Sequence, residues 1–114
     1  MFSVPIDCCN NVTIRTARLT SLNQLYFLNG SRVSNRPLYI GSDETHGIWY
    51  DGVESWMVGD LADLNEWKLT YGYMYSNDGA CPVGSDNWTG YYNNSWSLDD
   101  NVNIACDGRS SGKL

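Results

Sequence analysis

The chain has 114 residues, and its thirteen Asp and Glu against seven Lys and Arg give a formal charge of −6. This charge argues against nucleic acid and anionic membrane surfaces as partners, because both are bound through basic patches. The length predicts one domain, and the absence of any apolar run of 18 residues argues against a membrane span. Since Trp (5) and Tyr (8) are abundant, large rings must fill much of the core.

The cysteines and the glycosylation sequons favour an extracellular origin. Four cysteines outside CxxC spacing are typical of disulfides rather than of a metal site. Four Asn-x-Ser/Thr triplets, where chance produces roughly two, predict a glycoprotein. We therefore expect a secreted protein or the ectodomain of a larger one. The cysteines are Cys8, Cys9, Cys81 and Cys106, and the sequons start at Asn11, Asn29, Asn87 and Asn93.

The two ends of the chain lie outside the predicted module. Residues 1–7, MFSVPID, have neither the charged start nor the apolar run of a signal peptide, and we interpret them as a leader. Residues 107–114 are small and polar, which predicts a flexible tail. Residues 8–106 then form a single β-rich extracellular module.

Two segments near opposite ends are predicted to pair. Residues 11–17 alternate apolar and polar side chains, as does the segment of Val102 and Ile104. Each segment carries cysteine at one end, so we expect one of Cys8 or Cys9 to bond Cys106 and the other to bond Cys81. Adjacent cysteines rarely bridge each other. Closing almost the whole chain contributes on the order of 4 kcal/mol in the chain-entropy model.

Residues 22–41 contain a hairpin signal and a short strand. Asn29-Gly30 is a common hairpin turn, and the aromatic residues around it favour strand over the single helical turn that also fits residues 22–28. Pro37 precedes a short strand over residues 38–40, which Gly41 ends.

The heaviest block of apolar surface is GIWYDGVESWMVG, residues 47–59. Asp51-Gly52 between aromatic runs predicts a tight hairpin, in which residues 48–50 run in and residues 53–58 run back. Since neighbours on a strand point to opposite faces, we expect the face of Trp49 to be core and the face of Tyr50 to be available to a ligand.

The stretch from residue 61 to residue 76 predicts the one short helix and another strand. LADLNEW, residues 61–67, has partial helical spacing and Asp60 as a possible cap. KLTYGYMYS, residues 68–76, alternates with Tyr71, Tyr73 and Tyr75 on one face, and Gly72 predicts a bulge or a close contact.

GYYNNSW, residues 90–96, repeats the pattern of the earlier hairpin, with glycine, two rings, a turn and Ser-Trp. With turn signals every 8–12 residues, the chain predicts an all-β fold. We expect a small antiparallel sandwich, meander or irregular barrel of short hairpins, with at most one short helix and stapled by disulfides.

Several motifs together resemble a known extracellular repeat. The motifs are Asn35-Arg36-Pro37-Leu38-Tyr39, Ile48-Trp49-Tyr50, Ser55-Trp56-Met57-Val58-Gly59, Cys81-Pro82, Trp88, Ser95-Trp96 and the closing residues 102–106. Their order is similar to a cysteine-poor repeat of secreted and receptor-like proteins of invertebrates and protists, with the pattern NGRPVY…YLYY…W.VG…CP…W…W…C. The likeness spans most of residues 11–106, but Ser34-Asn35-Arg36-Pro37 replaces the Asn-Gly-Arg-Pro core. It implies an extracellular, modular protein and transfers no catalytic residues.

Exposed rings are the leading candidates for a binding site. Trp and Tyr stack on sugar rings and anchor protein interfaces, while neighbouring Asp and Asn bind hydroxyls. For any single ring, packing in a core poor in Leu and Ile is the stronger reading, but alternation predicts that some rings face solvent. The candidate ligand-binding residues are Trp49, Tyr50, Asp51, Trp56, Trp88, Tyr91, Tyr92 and Trp96.

Calcium binding and hydrolysis are weaker hypotheses. Clustered Asp and Asn offer oxygen ligands at Asp78, Asp86, Asp99 and Asp100, but no cluster has EF-hand spacing, and ordinary turn chemistry explains them better. A glycan hydrolase needs two facing carboxylates, which sequence spacing does not establish. His46, the only histidine, has no nucleophile motif around it. We therefore predict no metal, no cofactor and no enzymatic activity.

Three functions remain as hypotheses. The first is an extracellular, lectin-like or adhesive recognition module that binds a glycan or a protein through Trp and Tyr side chains. The second is a structural repeat of an adhesive or matrix protein without a small-molecule ligand. The third and weakest is a small carboxylate-dependent glycan hydrolase.

Overall fold

The computed structural model describes residues 8–77, 79–84, 87–99 and 101–107. In these residues nine antiparallel strands form one sheet that curls into a half-barrel, in the order β8-β7-β6-β5-β4-β3-β2-β1-β9. The strands are β1 Asn11–Arg15, β2 Gln24–Val33, β3 Arg36–Gly41, β4 His46–Tyr50, β5 Trp56–Asp60, β6 Met74–Ser76, β7 Thr89–Tyr92, β8 Ser95–Leu98 and β9 Asn103–Cys106. The all-β prediction is confirmed, in the form of a meander whose last strand returns beside the first.

The concave face of the sheet encloses the main core. The side chains of alternate residues on neighbouring strands meet on this face, with Ile48 opposite Val58 and Val58 opposite Met74. Aromatic rings supply much of its volume, as the composition predicts. The buried members are Val12, Ile14, Leu22, Tyr26, Tyr39, Ile48, Trp56, Val58, Met74 and Trp88.

A second core lies on the outer face of β4 and β5. Trp49 has no exposed surface and packs with Leu38 and Met57, while Leu64 and Leu69 pack against this cluster. The Trp49 indole N–H donates to the Leu69 carbonyl at 2.8 Å. The prediction that Trp49 is core is confirmed, but the central hairpin is buried on both faces.

The disulfides and the end strands pair as predicted. Cys9 bonds Cys106 and Cys8 bonds Cys81, with Cα atoms 5.6 Å and 5.5 Å apart. Strands β1 and β9 are antiparallel neighbours, with Ile14 opposite Ile104. The first bridge therefore locks the returning strand onto the start of the sheet. The predicted leader and the tail beyond Asp107 lie outside the described residues.

The predicted turn at Asn29-Gly30 is wrong. Strand β2 runs through both residues with a register irregularity, and the chain turns at Ser34-Asn35 instead. Both turn residues have positive φ, 52° and 66°, which suits a type I′ hairpin. The Asn29 side chain accepts a hydrogen bond from the Ser31 N–H at 2.9 Å, a bond typical of turns that here lies inside a β-bulge.

The central hairpin is confirmed, but its two-residue turn is wrong. The loop spans residues 51–55, because the Asp51 carboxylate accepts the N–H groups of Val53, Glu54 and Ser55 at 2.8, 3.0 and 3.0 Å. Those bonds satisfy backbone donors that a tight turn would have paired across the strands. Val53 is exposed in the loop rather than placed on a strand.

The segment after β5 is mostly loop rather than strand. Helix α1, Leu61–Asn65, ends before the predicted residue 67, and Asp60 makes no side-chain capping bond. No helix in the described ranges is long and apolar enough to cross a membrane. The predicted strand shortens to β6, and Gly72 lies close to the β5 backbone, where a Cβ would approach the Val58 carbonyl to 2.9 Å. The loop thereby covers the outer core.

Candidate functional site

The hairpin of β7 and β8 separates two neighbouring tyrosines onto opposite faces. Its turn is Asn93-Asn94, with φ values of 56° and 64°, and Tyr91 lies opposite Trp96. The hairpin predicted from GYYNNSW is therefore confirmed, with a two-residue turn. Tyr91 lies on the outer face of the sheet, whereas Tyr92 lies on the inner face.

Three rings and a leucine form an exposed patch on the outer face of β6 to β8. The Trp96 ring lies 5.2 Å from that of Tyr75 and 5.1 Å from that of Tyr91, at tilts of 59° and 57°. Tyr91 is 41% exposed, Trp96 44% and Leu98 54%, and Tyr75 is half-buried. We call these four residues the aromatic surface. Tyr75 lies opposite Met57, so the patch continues outward from the second core.

The aromatic surface lies in an uncharged part of an acidic chain. Residues 89–98 include no Asp, Glu, Lys or Arg, although the chain carries a net charge of −6. Asp99 follows immediately but is buried, and its carboxylate accepts the Asn101 N–H at 2.9 Å. Contacts made by this hairpin therefore involve no charged side chain of its own, and contiguous exposed apolar patches mark interaction sites.

Tyr92 belongs to a different environment from Tyr91. The Arg18 guanidinium lies over the Tyr92 ring, 5.3 Å from its centre, and approaches the Ser97 hydroxyl at 3.4 Å. Tyr92 is nevertheless 44% exposed, close to the value for Tyr91. The two tyrosines are thus neighbours with similar exposure on opposite faces.

The other predicted rings are not free to stack on a ligand. Trp49 and Trp56 have no exposed surface, and Trp88 is 4% exposed, so we place all three in the core. The half-buried Tyr50 ring is covered by the Arg36 guanidinium at 4.1 Å and meets the edge of Trp56. The Asp51 carboxylate is occupied by its own loop. Of the eight predicted residues, Tyr91 and Trp96 meet in one exposed cluster.

Two members of the aromatic surface were missed by sequence reasoning. Tyr75 was placed on a long strand with Tyr71 and Tyr73, and Leu98 was not singled out. Tyr75 reaches the patch only because β6 pairs with β7, which no local pattern shows. Trp67, exposed over 80% of its area with φ of 62°, also escaped notice.

His46, the first residue of β4, lies in a polar cluster with Asp43 and Asp60. Its Nδ1 lies 2.6 Å from the Asp43 carboxylate and its Nε2 lies 3.5 Å from the Asp60 carboxylate. The Tyr73 hydroxyl donates to Asp60 at 2.8 Å, a bond that raises the pKa of Tyr73. Both ring nitrogens thus face carboxylates, so the cluster ties the β3–β4 loop to the start of α1.

Asp43 is held in its charged form. Desolvation acts to raise the pKa of its carboxyl, but hydrogen bonds from the Thr45 N–H, the Gln24 amide and His46 outweigh it and hold the pKa well below its usual range. Gln24 in turn accepts the Asp43 N–H at 2.8 Å. These are the bonds of a structured loop.

Metal ligands are not grouped in the part of the chain that the structure describes. No three His, Cys, Asp or Glu side chains there are arranged to hold an ion. Asp78, Asp86 and Asp100 lie outside the described residues. Asp99, the remaining candidate, is buried and bonded to the backbone.

The sequons differ in accessibility. Asn87 and Asn93 are exposed, whereas Asn29 is half-buried and Asn11 is buried in β1. Glycosylation at the four sequons stays a prediction. Comparison with protein-family models, with curated proteins and with solved structures found no significant match to this chain. The resemblance to the extracellular repeat accordingly remains a prediction.

Proposed function

We propose that this chain is an extracellular recognition module that binds its partner through the aromatic surface. The observation that carries the proposal is that the exposed rings of Tyr91 and Trp96 cluster with the half-buried Tyr75, while Trp49 and Trp56 are wholly buried. Tyr and Trp, together with Arg, are enriched at binding hot spots. Two disulfides are compatible with an extracellular setting.

A protein partner fits this surface better than a glycan. The patch lies on the outer face of a curled sheet, so it is an open face rather than a cleft. Thr89, opposite Tyr75, supplies a polar side chain there, whereas sugars need several hydrogen bonds in addition to ring stacking. A glycan is the second candidate, because exposed Trp and Tyr rings also stack on sugars. The proposal assigns the chain no catalytic role.

The direct test is staining of a panel of animal cell lines with a fluorescent tetramer of the chain, since multivalency amplifies weak contacts. We expect binding that Trp96→Ala reduces at least tenfold and that mild trypsin treatment of the cells removes. The matched control is Trp67→Ala, which deletes the other exposed tryptophan. Equal staining by wild type and Trp96→Ala would exclude the aromatic surface. Staining of no cell line would favour the structural-repeat hypothesis.

The glycan alternative has its own test. Trp67 and Trp96 are the exposed tryptophans, so Trp67→Phe leaves Trp96 as the solvent-facing fluorophore. A protein partner predicts no change in emission when this variant is titrated with simple sugars. A saturable shift, together with loss of cell staining after periodate oxidation but not after trypsin, would replace the protein partner by a glycan.

A further inference from the structure

Strand β8 presents a free backbone edge. In the described part of the chain, β7 is its one partner in the sheet. Ser97 lies opposite Gly90, and the Asp99 N–H donates to the Trp88 carbonyl at 2.9 Å. Ser97 and Asp99 turn their backbone N–H and C=O groups toward β7. The N–H and C=O groups of the alternate residues, Trp96 and Leu98, therefore point away from β7, beyond the edge of the sheet.

Apart from its short length, strand β8 itself lacks the features that usually prevent edge strands from pairing, and the buried Asp99 lies just beyond it. Natural edge strands carry Lys, Pro, inward-facing charges or bulges. Strand β8 reads Ser-Trp-Ser-Leu and pairs with β7 in regular register. The opposite edge, β9, is covalently bridged at Cys106 and followed by Asp107. Of the two ends of the sheet, β8 is the one that no disulfide fixes.

We propose that β8 is a homophilic edge, at which two copies of this chain pair antiparallel about a two-fold axis. Centring the pair on Ser97 places Trp96 opposite the partner's Leu98, so the outward backbone groups of both copies match. Both side chains lie on the outer face, where the ring of one copy packs against the leucine of the other.

The uncharged β7–β8 hairpin allows a second copy as the occupant, whereas it offers nothing that would attract a charged peptide. Two chains of charge −6 repel each other, and a two-fold contact brings each charged group near its own counterpart. Residues 89–98 are uncharged, so the copies meet where this repulsion is least. A charged peptide would find no complementary charge along β8.

The dimer would extend the aromatic surface without depending on its ligand. Pairing joins the two patches into one apolar band that spans both copies. A four-residue strand buries far less than the roughly 800 Å² per partner of a stable interface, so the association is weak and reversible.

Sedimentation equilibrium of the oxidised chain tests this directly. Between ~10 μM and ~1 mM, the range set by that weak interface, the mass should rise from 12.8 kDa towards twice that value. Leu98→Lys, which adds a charge to the edge, should stay monomeric. Tyr92→Lys makes the same change on the opposite face and should associate as wild type does.

An independent readout uses the unmodified chain. Amide hydrogen exchange at Trp96 and Leu98 should slow as concentration rises, while exchange at Phe27 stays constant. A constant monomer mass, or association of Leu98→Lys equal to wild type, would overturn the proposal. Growth beyond a dimer would also overturn it, because head-to-tail pairing of β8 with β9 does not close. A monomer that still stains cells would leave the proposed function intact.

Discussion

Trp49→Ala removes a ring that is wholly buried between the sheet and the loop covering its outer face. The lost ring contacts Leu38 and Met57, and the Leu69 carbonyl loses its donor. Buried Trp→Ala substitutions cost about 3–5 kcal/mol. Since unfolding entropy is about 2.1 cal/mol/K per residue, a chain of 114 residues should melt about 12–20 °C lower.

Urea denaturation of the oxidised protein, followed by far-UV circular dichroism, measures this loss without relying on tryptophan emission. Trp67→Ala is the matched control, and because its ring is exposed it should change stability by less than about 0.5 kcal/mol. If Trp49→Ala does not fold, Trp49→Phe keeps most of the ring but removes the donor, at a cost of about 1–2 kcal/mol. A Trp49→Ala loss below about 1 kcal/mol would refute a buried outer core.

Three further predictions concern strain and pH. Trp67→Gly should raise stability by about 1 kcal/mol relative to Trp67→Ala in urea titrations, because φ is 62° there; equal stabilities would argue against that conformation. Burial raises the pKa of Tyr39 to about 12. The contribution of this raised pKa to the free energy of unfolding is therefore full below pH ~10 and is lost as pH rises through 12. Tyr39→Phe should flatten that alkaline limb of the stability profile, and an unchanged limb would contradict this. The pKa of Asp43 is lowered, so the contribution of its carboxylate to the free energy of unfolding is present above pH ~4 and is lost on acidification. Asp43→Asn should lose less stability than wild type between pH 7 and pH 3, and a parallel profile would contradict this.

The features predicted correctly from sequence rest on repeated local patterns. Alternation in the segments of Ile14 and Ile104, each beside a cysteine, was enough to pair β1 with β9 and to predict that one of the two adjacent cysteines bonds Cys106, while leaving open which one. Both hairpins were predicted from the same local pattern, in which two adjacent rings are followed by a turn and then by Ser-Trp. In each case local preference and the final fold agree.

The errors lie where side-chain bonding or distant packing competes with a local signal. Asn29-Gly30 is a stronger turn dipeptide than Ser34-Asn35, yet pairing of β2 with β3 places the turn at the latter. Asp51 widens its loop by bonding three backbone donors, which a dipeptide pattern does not reveal. The loop over Trp49 is set by contacts with Gly59 and Gly72, residues far apart in sequence.

The candidate site was only half predictable for the same reason. Tyr91 and Trp96 belong to one hairpin, so their proximity follows from local register. Tyr75 joins them through pairing with a strand more than ten residues away, across a loop without a pattern of its own. Burial of Trp56 and Trp88 depends on the curling of the sheet, which no single segment encodes.

The central claim is that the outer face of the β7–β8 hairpin is the binding face. Tyr91→Ala and Tyr92→Ala test it most directly, because the two tyrosines are adjacent, similarly exposed and on opposite faces. Tetramer staining of a responsive cell line should fall at least tenfold with Tyr91→Ala and stay near wild type with Tyr92→Ala, both variants melting as folded proteins. Equal staining by the two variants, or loss with Tyr92→Ala alone, would contradict the account.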